Sequence, residues 1–377
     1  MAVATDSVDF IPVSEPLFGI EEQENVVECL RTGWVSSEGH YVKEFEEKCA
    51  AYSDSKYGIA VSSGTTALQV ALQCLELEEG DEVIIPSFTI ISCVIAVLEA
   101  KGKPVLVDCT PDTWTMQVDQ IESKITTKTK AIMAVHIYGH PVDMDTLFEL
   151  AEKYSLTIIE DAAEAHGGKY KNKHCGGLGD ISILSFYANK LVTTGEGGML
   201  LTNCPEYASR ARSSRNMCFL PEERFLHKNI GHNYRMSNLQ AAVGVAQIDR
   251  LDKFVLRKRE MARRYIEKLN NLPVTLPIEK PWATNIYWMF GVVLDDTVNQ
   301  SKQQITENLL ARGIETRSFF RGMHEQPVLQ ELGLFVDERY PITEKIFRRG
   351  FYLPSGQALT DSQIDTVCVM MHEVFRT

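Results

Sequence analysis

From Tyr57 to Leu201 the chain alternates short apolar runs with longer amphipathic stretches. The runs are Tyr57–Val61, Glu82–Pro86, Pro104–Asp108, Ala131–His136, Leu156–Glu160 and Ile181–Phe186, with a seventh at Met199–Leu201. They show little alternation of polar and apolar positions, as expected of strands buried on both faces. The stretches Thr65–Leu77, Ile90–Ala100, Val118–Ile125 and Met144–Tyr154 carry helical spacing. Strands alternating with helices predict an α/β fold built on a mostly parallel, seven-stranded sheet.

The flanks read differently. Residues 1–20, with Pro12 and Pro16, are expected to form an extended arm. Helices follow at Ile20–Thr32 and Tyr41–Tyr52, around a turn at Gly33–Ser37. Beyond Asn238, Leu239–Leu269 reads as one long helix bridging two domains, ended by Asn270-Asn271-Leu272-Pro273. A strand at Tyr287–Leu294, a helix at Lys302–Arg312, a strand at Ile314–Phe320 and a helix at Ser362–Phe375 complete a smaller α+β unit. The expected division is an arm over 1–20, a large domain over 21–255 and a small domain over 256–377.

Composition narrows the function. A chain of 377 residues with 44% hydrophobic and 24% charged residues is globular rather than disordered. A net charge of -13 argues against nucleic acid or an anionic membrane as the main partner. No apolar run approaches the ~20 residues of a membrane helix, and the N-terminus lacks the pattern of a signal peptide. Nine scattered cysteines, an odd number without a CxxC pair, indicate neither a disulfide framework nor a metal site. The expectation is a protein of the reducing cytoplasm.

Three features fall at strand ends of the expected sheet, where α/β proteins place their ligands. Ser62-Ser63-Gly64-Thr65-Thr66 opens a helix and suits a phosphate. Asp161 lies just after the strand, before Ala162-Ala163-Glu164. Lys190 lies between the run at Ile181 and the bend Thr194-Gly195-Glu196-Gly197-Gly198. Singly, each has an ordinary reading: a helix cap, a turn cap and a solvated lysine. Together they meet the needs of pyridoxal 5′-phosphate: an amine for a Schiff base, a carboxylate opposite the ring nitrogen, and an anion cup. His136 and His166 sit near strand ends, and both read as structural histidines.

Six ordered segments resemble the DegT/StrS-type sugar aminotransferases. They are Ser63–Leu68, Gly80–Pro86, Glu160–Ala165, Ser185–Lys190, Thr194–Gly198 and Asn233–Met236. The resemblance runs from about Ile11 to the C-terminus. Trp34–Ser37, His136–Pro141 and Ile314–Arg317 point within the family to its nucleotide-sugar 4-aminotransferases. The resemblance implies a fold-type I aminotransferase and a homodimer with shared active sites. Lys190 would bond the cofactor and be the catalytic residue, Asp161 would face its ring nitrogen, and Glu164 would lie near its 3′-oxygen. Gly64, Thr65 and Ser185 would hold the phosphate, with Asn233 added from the neighbouring subunit. Ile90 would cover the ring face where the family usually has an aromatic residue. Trp34, Ser37, Arg317 and His324 would lie around the sugar or the donor.

The implied reaction moves an amino group from L-glutamate to an NDP-4-keto-6-deoxyhexose, giving a 4-amino-4,6-dideoxy sugar for surface polysaccharide. Amination at C3 or of a keto-sugar acid stays open. A dehydratase relative carries His in place of the lysine, so Lys190 weighs against that chemistry. A non-catalytic regulator is disfavoured by the Lys190/Asp161 pair. The segment Arg215–Phe219 through Arg224–His227 departs from the pattern of those 4-aminotransferases, which leaves the sugar open.

Overall fold

The seven apolar runs assemble into one sheet in the computed structural model, which describes residues 10–220, 222–223 and 225–376. The strands are β1 (Tyr57–Val61), β2 (Glu82–Pro86), β3 (Lys103–Val107), β4 (Thr129–Val135), β5 (Thr157–Asp161), β6 (Ile181–Ser185) and β7 (Gly198–Thr202). Their order across the sheet is β1-β7-β6-β5-β4-β2-β3. Neighbours from β6 through to β3 run parallel, and β7 runs antiparallel to both β6 and β1. Every residue of β2, β6 and β7 is buried, which is why those runs read as continuous apolar segments.

Helices α1 (Ile20–Thr32), α2 (His40–Tyr52), α3 (Gly64–Gln73), α4 (Ser92–Glu99) and α5 (Met144–Tyr154) match the expected periodic stretches to within a few residues. The stretch Val118–Ile125 does not form the expected α-helix. It makes two 3-10 turns, Val118–Gln120 and Glu122–Lys124. Polar side chains divert the backbone there: Gln120 Oε1 accepts from Asp108 N at 3.1 Å, and Ser123 Oγ donates to Gln120 O at 2.8 Å.

A helix that the sequence left unread, α6, spans Pro205–Arg215. The expected long helix is two, α7 (Asn238–Ile248) and α8 (Leu251–Leu269). The break is pinned from outside: Lys48 on α2 donates to Asp249 Oδ1 at 2.6 Å, and Arg250 pairs with Glu22 on α1. Arg250 itself leaves the helical region, at φ -105° and ψ 1°.

The second half carries an antiparallel sheet of β8 (Val274–Thr275), β9 (Phe290–Leu294), β10 (Arg317–Ser318) and β11 (Gly350–Leu353), in the order β8-β9-β11-β10. The strand expected at Ile314–Phe320 is only the two residues of β10, and Tyr287 turns away from β9 at φ 49°. Helix Pro341–Arg349 and β11 were not apparent in the sequence.

Two cores result. The larger surrounds the seven-stranded sheet, and the smaller gathers Tyr265, Phe290, Phe351 and Ile364. Along α8 the buried side chains pass from the first core at Phe254 to the second at Met261. From the N-terminal arm, Ile11 joins the second core and bridges Ile314. Residues 1–9 of the arm lie outside the described residues.

Candidate active site

The carboxyl ends of β5 and β6 and the start of α3 open into one cavity of about 380 Å³. At its floor Ser63 caps α3 by accepting from Thr66 N at 3.1 Å. Gly64 follows, so close to β6 that a Cβ there would lie 2.6 Å from Ser185 Cβ. Only glycine fits, and the exposed backbone and dipole of the helix start are left facing the cavity. Thr65 Oγ1 shares a hydrogen bond with Ser92 Oγ at 2.9 Å. The glycine bend on the other side packs as tightly: a Cβ at Gly198 would meet Ser63 O at 2.2 Å.

Asp161, the last residue of β5, is buried, and two groups donate to it: Ala163 N at 3.0 Å and Cys93 Sγ at 3.4 Å. Burial raises its pKa above the usual carboxylate value, against the pull of Ala163 N–H, Cys93 and the Lys190 charge. Glu164 behaves alike, its pKa raised by burial. Its Oε2 accepts from Tyr138 N at 2.8 Å, and its Oε1 faces Lys190 Nζ at 3.4 Å. Lys190 Nζ also sits 3.7 Å from the centre of the Trp288 ring, a cation–π contact. Trp288 is fixed in turn by its Nε1–H, which donates to Asn189 O at 2.8 Å.

The two histidines are held by the fold. His136 Nδ1 accepts from Val142 N at 3.0 Å, so Nε2 carries the proton and donates to Glu160 Oε1 at 2.9 Å. His136, Glu160 and Cys175 lie close enough to suggest a metal, yet Glu160 takes four further hydrogen bonds, from Gly176 N, Leu178 N, Gly179 N and Ser182 Oγ. Its lone pairs are spent within the chain. His166 accepts from Val192 N, and burial, with the Lys190 charge second, lowers its pKa to about 3.

The cavity brings together Lys190, Asp161, Glu164, Gly64, Thr65, Ser185, Ile90 and Arg317. Ile90 is 44% exposed on its wall. It does not bring in His324, which is buried with Nδ1 against Ser87 Oγ at 2.9 Å and Nε2 toward Glu344 at 3.5 Å. Trp34 (57% exposed), Ser37 and Asn233 also lie off the cavity of this single chain. Arg224 lies outside the described residues. Sequence reasoning missed Trp288 and Cys93. Cys93 sits one helical turn beyond Ile90, which was a usable signal. Trp288 read as the start of a strand, and nothing local marks it.

A fold-type I architecture with a strand-end lysine, a buried aspartate and a glycine-walled helix start defines a pyridoxal phosphate-dependent aminotransferase. The chain matches the DegT/DnrJ/EryC1/StrS aminotransferase family over residues 17–372 and belongs to it. It is 41% identical over 366 residues to GDP-perosamine synthase of Escherichia coli O157:H7, covering 97% of this chain and 99% of that one. GDP-perosamine synthase of Caulobacter vibrioides is 39% identical over 97% of this chain and 98% of its own. Among solved structures, S. venezuelae DesV superposes with a TM-score of 0.90 at 31% identity, covering 98% of this chain and 99% of that chain. The PLP-form of Spr1654, a putative sugar aminotransferase from Streptococcus pneumoniae, superposes at 0.91 with 25% identity, over 97% and 99%. The residues present fit the cofactor: an amine and a carboxylate with few donors share one cavity, beside a cradle that a Cβ would fill.

Proposed function

We propose that this transaminase moves the amino group of L-glutamate to C4 of a GDP-linked 4-keto-6-deoxyhexose, releasing 2-oxoglutarate and a 4-amino-4,6-dideoxy sugar. The observation that carries the reading is the convergence of Lys190, Asp161 and the Gly64 cradle on one cavity, in a chain that covers its GDP-perosamine synthase relatives nearly end to end. When bound, pyridoxal phosphate supplies an electron sink for the carbanion formed at the donor's α-carbon.

The chain's own residues divide the remaining work. Lys190 would hold the cofactor through its amine, and its Nζ would serve as the base for the donor's α-proton. Asp161, to which Ala163 N and Cys93 Sγ donate, would hold the cofactor's ring nitrogen and stabilise positive charge there. Glu164, its Oε2 tied to Tyr138 N, directs Oε1 toward the Lys190 amine. Ser63, Gly64, Thr65 and Ser185 would hold the phosphate, and Ile90 would lie against the ring. Trp288 and Phe320 wall the cavity and exclude water.

Arg317, the exposed cation on the wall, binds an anionic group of donor or sugar. Trp34, Ser37 and Asn233 act in a homodimer, reaching the site of the neighbouring subunit. The exposed apolar side chains of α1 and the turn after it, Val27, Leu30, Trp34 and Val35, support such a pairing. The nine cysteines are all unpaired, in keeping with a place in the reducing cytoplasm. No helix among the described residues is long and apolar enough to cross a membrane.

The test is mass spectrometry of reactions containing L-glutamate and a panel of GDP-, UDP- and TDP-linked keto-sugars. Amination of the GDP-linked 4-keto sugar ahead of the others is expected. Amination only of another nucleotide, or at C3, would overturn the substrate reading and leave the transaminase class intact.

A further inference from the structure

Behind the catalytic lysine lies a second buried lysine that the reaction does not use. Lys258, on α8, is 2% exposed, and no ion pair among the described residues includes it. Its Nζ donates to Trp288 O at 2.7 Å and to the carbonyl of Ser355. A buried ammonium is costly, and a methionine would fill the same space without that cost. Its carbonyl partners therefore need another explanation.

One of those carbonyls belongs to the residue whose ring lies 3.7 Å from Lys190 Nζ. The same ring donates through Nε1 to Asn189 O, the backbone group next to Lys190. Lys258 and Lys190 also line one small cavity of about 10 Å³, room for about one water. Burial lowers the Lys258 pKa to about 7.

We propose that Lys258 is a positioning residue: by clamping the Trp288 and Ser355 carbonyls it holds the Trp288 ring against Lys190 and Asn189, and so fixes the catalytic amine relative to the cofactor. The inference rests on cofactor binding at Lys190 and is independent of the sugar.

The experiment uses the pyridoxal phosphate-loaded enzyme and L-glutamate alone, and follows the first half-reaction at the cofactor's visible band. For Lys258→Met the rate constant should fall about tenfold, as misplacement of a reacting group predicts, with half-saturation by glutamate changed less than about twofold. The visible circular dichroism of the bound cofactor should change, while the thermal midpoint holds or rises. Trp288→Phe should give the same two changes, and the double variant no more than either single one. A Lys258→Met enzyme with an unaltered visible signal and rate overturns the proposal, as do effects of the two substitutions that add in full. If Lys258→Met does not fold, Lys258→Gln, which keeps an uncharged amide NH2 as donor, should show the same signal change at smaller size, and a wild-type signal there overturns the proposal equally. An enzyme that takes up no cofactor at all would instead sink the transaminase assignment.

Discussion

Glu160 and Asp161 are neighbours on one strand, both buried and both acidic, and they do opposite work. Successive side chains of a strand point to opposite faces, so the chain can place two carboxylates side by side in different surroundings. Burial opposes the charge of Glu160, yet hydrogen bonds led by His136 hold its pKa below the ordinary value. Among the described residues Asp161 receives only two donors, and burial raises its pKa. The first carboxylate is finished by the fold and serves stability. The second is left short of partners, and an incoming cation can complete it. A carboxylate's function is thus read from its missing donors rather than from its burial.

The largest effect that bears on this contrast comes from its positive partner. Lys190→Ala should abolish turnover and the visible absorbance of the bound cofactor, measured by spectrophotometry and product assay. Next, Asp161→Asn should lower kcat roughly 10²–10³-fold, the scale of losing one preorganised electrostatic group, with little change in the thermal midpoint. Glu160→Gln should do the reverse: denaturant unfolding should show a loss of about 3 kcal/mol, because an amide cannot accept from all five donors, while the folded fraction keeps near-normal kcat.

Acid sharpens the same comparison. The Glu160 pKa is lower in the folded state than in the unfolded chain, so its stabilisation is present above the unfolded value and is lost as pH falls through the folded one. Glu160→Gln should therefore flatten the acid limb of the stability curve. For Lys258 the unfolded chain holds its proton longer, up to about 10.5, than the folded state, down to about 7. Between those values the wild-type protein should gain on Lys258→Met by up to about 1.4 kcal/mol per pH unit as pH rises, read by urea unfolding. Smallest of all, Ile90→Phe should tighten cofactor binding by roughly 1 kcal/mol through ring stacking, measured by equilibrium titration.

Much of the large sheet was legible because buried parallel strands announce themselves as unbroken apolar runs. Tyr57–Val61, Glu82–Pro86 and Met144–Tyr154 fall where the sequence placed them. The elements that failed were decided by hydrogen bonds and ion pairs that periodicity does not show. Val118–Ile125 has helical spacing, but Gln120 and Ser123 spend their polar groups on the local backbone. Leu239–Leu269 carries no breaker at Asp249-Arg250, where Lys48 and Glu22 take hold of the chain. The site divides the same way. Lys190, Asp161 and Gly64 lie on motifs with local geometry, whereas Trp288 reaches Lys190 only because β9 and α8 bring it there. His324 lies next to Glu344 and Ser87 rather than in the cavity, a matter of how helix Pro341–Arg349 packs.

The ring over Lys190 comes from a segment almost one hundred residues further along, and Tyr352, which also borders the cavity, comes later still. A polypeptide emerging from the ribosome therefore exposes its reactive amine well before the roof of that chamber exists. Closure of the chamber waits for Trp288 and Tyr352, so a product truncated ahead of them would lack part of its wall.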